Sequence, residues 1–321
     1  PAEIEADCSR LFFDYLLAAA SDAETGRKVL DGLERADARG KLLRLIDQPS
    51  VQLANVDNLE YGAKDVIGVL SGPNTPERRQ LTAAWSAALD RLAGLSGDAT
   101  LSPKDQLNIM RARVMLARLD APKGPLPPAL LDQVRAAVAK VDATVKEPYT
   151  RTAAINAAVN AYFEADLDAE ANQLLTTELA KSSTPYYFML DLADLAEKSG
   201  RKQEAVDWLA RAYHGAEGPA TRFQWGYNYL VGLIEMTPAD TKGIEKAGLE
   251  VLGELDRSPD AFYQRTRMRL EQLNGQLLTW GKTGDAAKTV DTLRARTQEI
   301  CQKLPEGDEG RAACDEFLKR G

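Results

Sequence analysis

Two segments of this chain, residues 151–185 and 185–219, align with each other at a spacing of 34 residues. The aligned pairs are Ile155 with Met189, Tyr162 with Ala196, Ala171 with Ala205, Leu175 with Leu209 and Pro185 with Pro219. Each pair lies where the two antiparallel helices of a hairpin would touch. A fixed period of this length is typical of stacked helical hairpins, which bury a continuous core by packing on their neighbours. The spacing therefore predicts an all-α superhelical array of antiparallel helix pairs, an α-solenoid.

Helix start signals are frequent along the chain. A hydroxyl residue directly before a proline occurs at Thr75, Ser102, Thr184, Thr237 and Ser258. The hydroxyl suits the N-cap position, and proline suits the first helical position because its missing N–H needs no partner there. Asp105 and Asp240 follow two of these caps by three residues, as in a capping box. We predict nearly continuous helix, with a loop at 51–56 and one helix at 58–71.

A segment rich in proline and glycine, residues 121–128, is the best candidate for a domain boundary. Three of its last four residues are proline, which is incompatible with a continuous helix. We therefore predict an N-terminal helical region at 1–120, a connector at 121–128 and a helical repeat region at 129–321.

The composition argues against two classes of partner. Of the 321 residues, 44% are apolar and 27% are charged, which is ordinary for a globular protein. The formal net charge is −8, and the basic residues form no stripe that could bind phosphates, so we expect no nucleic-acid partner. No apolar run approaches the roughly 20 residues needed to cross a bilayer. We therefore expect no membrane-spanning helix.

Familiar patterns of catalytic and metal-binding residues are missing. His214 is the one histidine, the three cysteines are scattered, and no P-loop, GxGxxG, GxSxG or HExxH motif occurs. We therefore expect a non-enzymatic chain without a metal or another cofactor. The alternative is an α/α-toroid enzyme acting on a carbohydrate or a lipid-like substrate. Asp191 and Asp194, which share one helix face, would then be its carboxylate pair.

Cys301 and Cys314 flank a short connector, residues 304–310, between two predicted helices. Antiparallel helices with so short a link bring such positions close enough for a disulfide. Two buried free thiols fit the sequence equally well. A disulfide would indicate an oxidising compartment. The sequence assigns no role to Cys8.

Nine of the 21 aromatic residues lie between positions 186 and 229. On a helix at 219–235 the rings lie on two different faces, and the core between repeats can bury only one of these two faces. We predict that the other face, with nearby arginines, forms a contact surface for a protein or peptide. Its predicted residues are Tyr186, Trp208, Arg222, Trp225 and Tyr229. The alternatives are a small ligand bound in an aromatic groove, or rings that belong to the core between repeats.

The segment 184–255 resembles tetratricopeptide repeat proteins. The residues that carry this resemblance are Met189, Leu192, Ala193, Gly200, Ala205, Leu209 and Ala212. More narrowly, the chain is similar to the helical region that follows a thioredoxin domain in some Gram-negative bacterial proteins. This likeness rests on segments 184–187, 205–213 and 218–225 and on the hairpin that carries Cys301 and Cys314.

The narrower resemblance implies an accessory role in the bacterial cell envelope. It implies a periplasmic protein with a redox-active, thioredoxin-like domain upstream of Pro1. The chain would then be a scaffold or interaction module whose partner is a protein, a peptide or that domain of the same polypeptide. Because the chain has no CxxC motif, we expect no thiol–disulfide catalysis from these 321 residues.

Overall fold

The computed structural model of the protein describes residues 2–27, 29–95, 101–257, 262–282 and 284–317, and most of these residues are helical. Within these ranges the backbone forms 17 α-helices, one short 3₁₀ helix and no strand. The predicted all-α class is therefore confirmed. None of the described helices combines the length and apolar character needed to cross a bilayer.

The chain divides into two compact units, Pro1–Ala171 and Asn172–Gly321. The first unit contains α1 (Ala2–Glu24), α2 (Gly32–Leu45), α3 (Pro49–Ala54), α4 (Val56–Tyr61), α5 (Ala63–Leu70), α6 (Pro76–Gly94), α7 (Pro103–Ala117), α8 (Pro128–Thr144) and α9 (Pro148–Glu164). Helix α10 (Asp168–Leu179) spans the division. The second unit contains α11 (Tyr186–Lys198), α12 (Lys202–Gly215), α13 (Pro219–Met236), α14 (Thr241–Gly253), the 3₁₀ helix η1 (Glu254–Arg257), α15 (Gln264–Trp280), α16 (Gly284–Cys301) and α17 (Glu309–Glu316).

The first unit has an apolar core to which α1, α2, α5, α6 and α7 contribute. Phe13 and Trp85 lie at its centre, where their rings meet edge to face with centroids 6.0 Å apart. The Trp85 indole N–H donates a 3.0 Å hydrogen bond to the carbonyl of Leu59. A buried indole needs such a partner. This bond therefore holds α6 against α4.

The proline-rich segment 121–128 lies inside the first unit. It separates α7 from α8, as its prolines require. Helix α7 nevertheless packs on both α8 and α9, which follow the segment. The predicted division into 1–120, 121–128 and 129–321 stays a prediction beside these compact units.

In the second unit, successive helices pack on one another in chain order. Helix α11 packs on α12, α12 on α13, and α13 on α14. Contacts also link α13 with α15 and α14 with α16. One apolar core runs through these contacts. Among its alanines, Ala193, Ala205 and Ala212 are all buried where the helices pack.

Two of the predicted helix starts are confirmed with their caps. Thr75 is the N-cap of α6, and its hydroxyl accepts a hydrogen bond from the backbone N–H of Arg78. Ser102 is the N-cap of α7, and it forms a capping box with Asp105. These signals succeed because they depend on contacts within one turn of helix.

The signal at Thr237 is wrong. Thr237 ends α13, and its hydroxyl donates 3.0 Å to the carbonyl of Leu233 in that preceding helix. Asp240, which we predicted at the third position after the cap, is itself the N-cap of α14 and accepts from the N–H of Gly243. At Thr184 the helix begins two residues later, at Tyr186. The signal at Ser258 lies outside the described residues.

The region predicted as a loop at 51–56 and one helix at 58–71 has a different structure. Three short helices, α3, α4 and α5, occupy residues 49–70. The buried side chains of Gln52 and Asn55 donate to the carbonyls of Ile46 and Val51. These bonds satisfy backbone carbonyls where the short helices meet. They stabilise helices in a segment whose apolar pattern is too short to predict a helix from the sequence.

The two aligned repeats end their first helices with the same backbone turn, 34 residues apart. Leu167 N–H donates to the carbonyl of Tyr162 over 2.9 Å, and Arg201 N–H donates to that of Ala196 over 2.8 Å. The residue before each donor is left-handed: Asp166 has φ 54° and Gly200 has φ 75°. This is the Schellman pattern of helix termination. The two aligned segments therefore share this backbone turn at the same offset of 34 residues.

Replacing Ala205 by leucine should destabilise the protein by about 1–3 kcal/mol, because Ala205 is fully buried where α11 and α12 pack. Urea unfolding followed by circular dichroism measures the change. Ala210→Leu, in the half-buried part of the same helix, is the matched control. An unchanged free energy of unfolding for Ala205→Leu would contradict the close approach of the two helices.

Candidate interaction surface

Three aromatic rings meet at the start of α11 and in the first half of α13. The Trp225 ring lies 5.8 Å from Tyr186 and 5.1 Å from Tyr187, edge to face in both cases. The centroids of the two tyrosines are 5.0 Å apart. Edge-to-face pairs at these distances are favourable. The group therefore fixes the start of α11 against α13.

The members of this ring group differ in exposure. Tyr187 is 42% exposed, Tyr186 is half-buried and Trp225 is 4% exposed. The Trp225 indole nitrogen is also buried and has no hydrogen-bond partner among the described residues. Trp225, which we expected on the contact surface, therefore belongs to the core in this structure. Its ring packs edge to face against both tyrosines.

Trp208 lies on α12 and is half-buried against the core. The guanidinium of Arg211, one helical turn later, lies 4.0 Å from the centre of the indole ring. Such a cation–π contact covers part of the ring while it leaves the arginine head in solvent. Arg211 is exposed. The pair therefore presents a positive charge together with the part of the indole that Arg211 leaves uncovered.

Arg222 has a structural partner. Its Nε donates 2.9 Å to the Oε1 atom of Glu254, a side chain that is 4% exposed. The Tyr213 hydroxyl donates to the same oxygen over 3.1 Å. The Arg222 guanidinium also lies 5.0 Å from the centre of the Tyr213 ring. Burial, followed by the nearby Glu254 carboxylate, raises the pKa of Tyr213 to about 12. The three side chains form one partly buried network.

Tyr229 lies beside this network. Its ring stacks on Tyr213 with centroids 6.1 Å apart, and the exposed His214 ring lies 6.3 Å away. Burial, with the nearby Glu250 carboxylate, raises the pKa of Tyr229. The Tyr229 ring is half-buried, so one part of it remains accessible.

The structure thus divides the five predicted residues into three groups. Tyr186 contacts Trp225, Trp208 contacts Arg211, and Arg222 and Tyr229 both contact Tyr213. The sequence did not identify Glu254, which orders the third group. A single glutamate near a helix end carries no pattern that could have revealed it.

The pair Asp191 and Asp194 lies on α11. Asp191 is half-buried, and this burial, with the neighbouring Asp194 carboxylate, raises its pKa to about 7. Burial followed by the charge of Glu197 raises the pKa of Asp194 in the same direction. An aspartate that titrates near neutrality can accept or donate a proton. In the described part of the chain no cluster of three His, Cys, Asp or Glu side chains could hold a metal ion.

A cleft of about 520 Å³ lies between α15 and α17. Its apolar lining includes Phe262, Leu270 and Phe317, and charged side chains such as Arg267 and Glu309 complete it. None of the five predicted contact residues lines this cleft. The aromatic residues of α11 to α13 and this cleft are therefore separate features of the second unit.

The structure joins Cys301 at the end of α16 to Cys314 in α17 by a disulfide, with Cα atoms 5.5 Å apart. Both cysteines are about 1% exposed. The two bridged cysteines are 13 positions apart in the sequence, and the bridge holds α17 against α16. Cys8 is a free, exposed thiol.

Peptide mapping of the unreduced protein should yield one linked pair of peptides, containing Cys301 and Cys314, while Cys8 reacts with an alkylating reagent. Their burial protects the bridged sulfurs from reductants in solution. Replacing both bridged cysteines by serine should cost about 3 kcal/mol, because the chain loses a covalent loop constraint. Alkylation of all three thiols in the oxidised protein would contradict the bridge.

Replacing Arg222 by alanine should destabilise the protein by about 3 kcal/mol, because it removes the cation that pairs with the buried Glu254 carboxylate. Tyr213→Phe should cost about 1 kcal/mol, the value of one hydrogen bond. Arg201→Ala is the matched control, since Arg201 pairs with Glu204 in an exposed i,i+3 pair. Urea unfolding at pH 7 measures all three. Equal effects of Arg222→Ala and Arg201→Ala would contradict a structural role for the network.

No protein-family model matches the chain, and no curated protein matches it either. The resemblance to tetratricopeptide proteins and to thioredoxin-associated helical regions therefore stays a prediction from the residues that carry it.

Proposed function

We propose that the second unit is a tetratricopeptide-like α-solenoid that binds a protein or peptide and performs no chemistry of its own. The observation that carries this proposal is the set of accessible rings on consecutive helices: Tyr187, Trp208 and Tyr229. Aromatic side chains with a polar handle are the residues that most often anchor a bound partner.

The packing order supports a solenoid. In stacked antiparallel hairpins, first helices contact first helices, and second helices contact second helices. The contacts of α13 with α15 and of α14 with α16 follow this rule, with α13/α14 and α15/α16 as the two hairpins. Each hairpin then contacts its neighbours alone, and the array leaves an extended surface for a partner.

The chemistry of the surface favours a peptide with apolar and acidic residues. Arg211 is exposed beside the indole of Trp208, so it can pair with a carboxylate while the indole packs on an apolar side chain. A pair of this kind discriminates by charge as well as by shape.

We further propose that the chain acts in an oxidising compartment, the bacterial periplasm, next to a thioredoxin-like domain of the same polypeptide. The bridge between Cys301 and Cys314 supports an oxidising environment, since such bridges persist there. The narrower sequence resemblance is the basis for the thioredoxin-like partner.

The second candidate function is an α/α-toroid enzyme for a carbohydrate or lipid-like substrate. It is favoured by Asp191, whose pKa of about 7 would suit a general acid or base. Turnover of such a substrate by the purified chain, abolished by Asp191→Asn, would replace the binding proposal.

The binding proposal predicts different outcomes for two tryptophans. A displayed peptide library selects a ligand for the purified chain, and fluorescence anisotropy of the labelled peptide measures its affinity. Trp208→Ala should weaken the affinity at least tenfold, because it removes an accessible anchor. Trp225→Ala should instead destabilise the fold by about 3–5 kcal/mol, as a core truncation does.

Trp280→Ala is the matched control, since it removes another half-buried indole, at the end of α15. It should leave the affinity for the peptide unchanged. Equal affinities of the wild type, Trp208→Ala and Trp280→Ala would contradict a contact surface on α12. A library that yields no ligand would contradict the peptide-binding function.

A further inference from the structure

Glu60 is a carboxylic acid in the interior of the first unit. It lies on α4 and is 2% exposed. Its Oε2 atom accepts a 3.0 Å hydrogen bond from the Nδ2 atom of Asn108 on α7. Its Oε1 atom is buried and has no hydrogen-bond partner among the described residues. A charged carboxylate with one bond and one unpartnered oxygen is costly at such a position.

Asn108 has no further donor to offer. It is 4% exposed, and its Nδ2 group also lies 2.8 Å from the hydroxyl of Tyr61. An amide NH₂ has two hydrogens, and these two contacts use both. The amide can therefore satisfy one oxygen of Glu60, and the other oxygen is best buried as a neutral O–H.

The charges around Glu60 come from α4 and from α7, on which α4 packs. Asp57 on α4 and Asp105 on α7 disfavour ionisation, while Lys104 on α7 favours it. Burial is the largest effect, and it raises the pKa of Glu60 from about 4.5 to about 8. Tyr61, the next residue, is exposed, and the guanidinium of Arg111 on α7 lies 6.0 Å from the centre of its ring.

Helix α4 has few stabilising interactions within itself. It is six residues long, and neither Asn55 at its start nor Gly62 at its end provides a side-chain cap. A helix of this length is unstable in isolation. It stays in place through its contacts with α7 and neighbouring helices and through the hydrogen bond from Trp85 to Leu59. The contact at Glu60 therefore bears directly on whether α4 stays docked.

We propose that α4 is a pH-sensitive element of the first unit, docked on α7 while Glu60 carries a proton and released as the pH rises. In the released state the carboxyl group reaches water and ionises. The docked state keeps the proton and the hydrogen bond from Asn108. The proton is exchanged with solvent, so no other reactant is needed.

The direction follows from the two pKa values of Glu60. Its pKa is about 8 when docked and close to the ordinary 4.5 when released. Between these values the released state binds fewer protons, so each pH unit favours release about tenfold. Above about pH 8 both states are ionised, and the effect levels off. Docking is therefore strongest in acid and weakens toward pH 8.

Hydrogen exchange of the whole chain, followed by mass spectrometry, tests this inference. The measured quantity is the exchange rate of the peptide covering residues 56–61 in wild type, divided by that in Glu60→Gln at the same pH. This ratio cancels the intrinsic pH dependence of exchange. Between pH 6.5 and pH 9 it should rise about 30-fold, from the two pKa values above. Glutamine keeps the acceptor for Asn108 but cannot ionise.

Glu24→Gln, at an exposed position of the same unit, is the matched control. The wild-type exchange rate of residues 56–61 divided by the rate in Glu24→Gln should not change with pH. If Glu60→Gln fails to fold, the wild-type rate for residues 56–61 is divided by the rate for residues 290–297 in α16, each corrected for intrinsic exchange. A ratio that does not change with pH, in either form of the experiment, would overturn the proposal.

Discussion

The second unit depends on small side chains at the points where its helices cross. Ala205 and Ala212 are fully buried, and a Cβ atom added to Gly226 of α13 would lie 2.7 Å from a methyl group of Val251. Helices can approach this closely when one of them presents almost no side chain, and a larger residue at Gly226 would have to displace the side chain of Val251. Ala205, which belongs to the 34-residue pattern, therefore sets the spacing between helices together with Ala212 and Gly226. This close spacing is also what brings the aromatic rings of consecutive helices within reach of one another.

The sequence predicted the features that depend on neighbouring residues. The all-α class and the caps at Thr75 and Ser102 are all decided within one or two turns of helix. The cap at Thr237 failed because its hydroxyl bonds to the helix before it, while Asp240 offers a carboxylate to the helix after it. Two polar side chains compete for one helix end, and the local pattern does not say which of them wins.

The candidate surface was less predictable, because it depends on which helices cover each ring. The sequence around Trp208 and Trp225 does not distinguish an exposed ring from a buried one. In the structure the two tyrosines of α11 cover Trp225, and an arginine of its own helix covers part of Trp208. Arg222 looked like a surface residue until the fold placed Glu254, 32 positions later, beside it. Contacts over such separations follow from tertiary packing, which a single sequence does not specify.

The role of Glu60 also depends on tertiary contacts that the sequence alone does not specify. In the sequence it is one of many acids, in a segment that we expected to be one helix at 58–71. Burial, the single donor from Asn108 and the break of the helix at Gly62 together give it a role. An apolar residue of similar size would pack there without the cost of a buried carboxyl group, so stability alone does not account for glutamate at this position. A group that is neutral when buried and charged when released couples the docking of one short helix to the proton concentration, and a permanently neutral residue cannot do so.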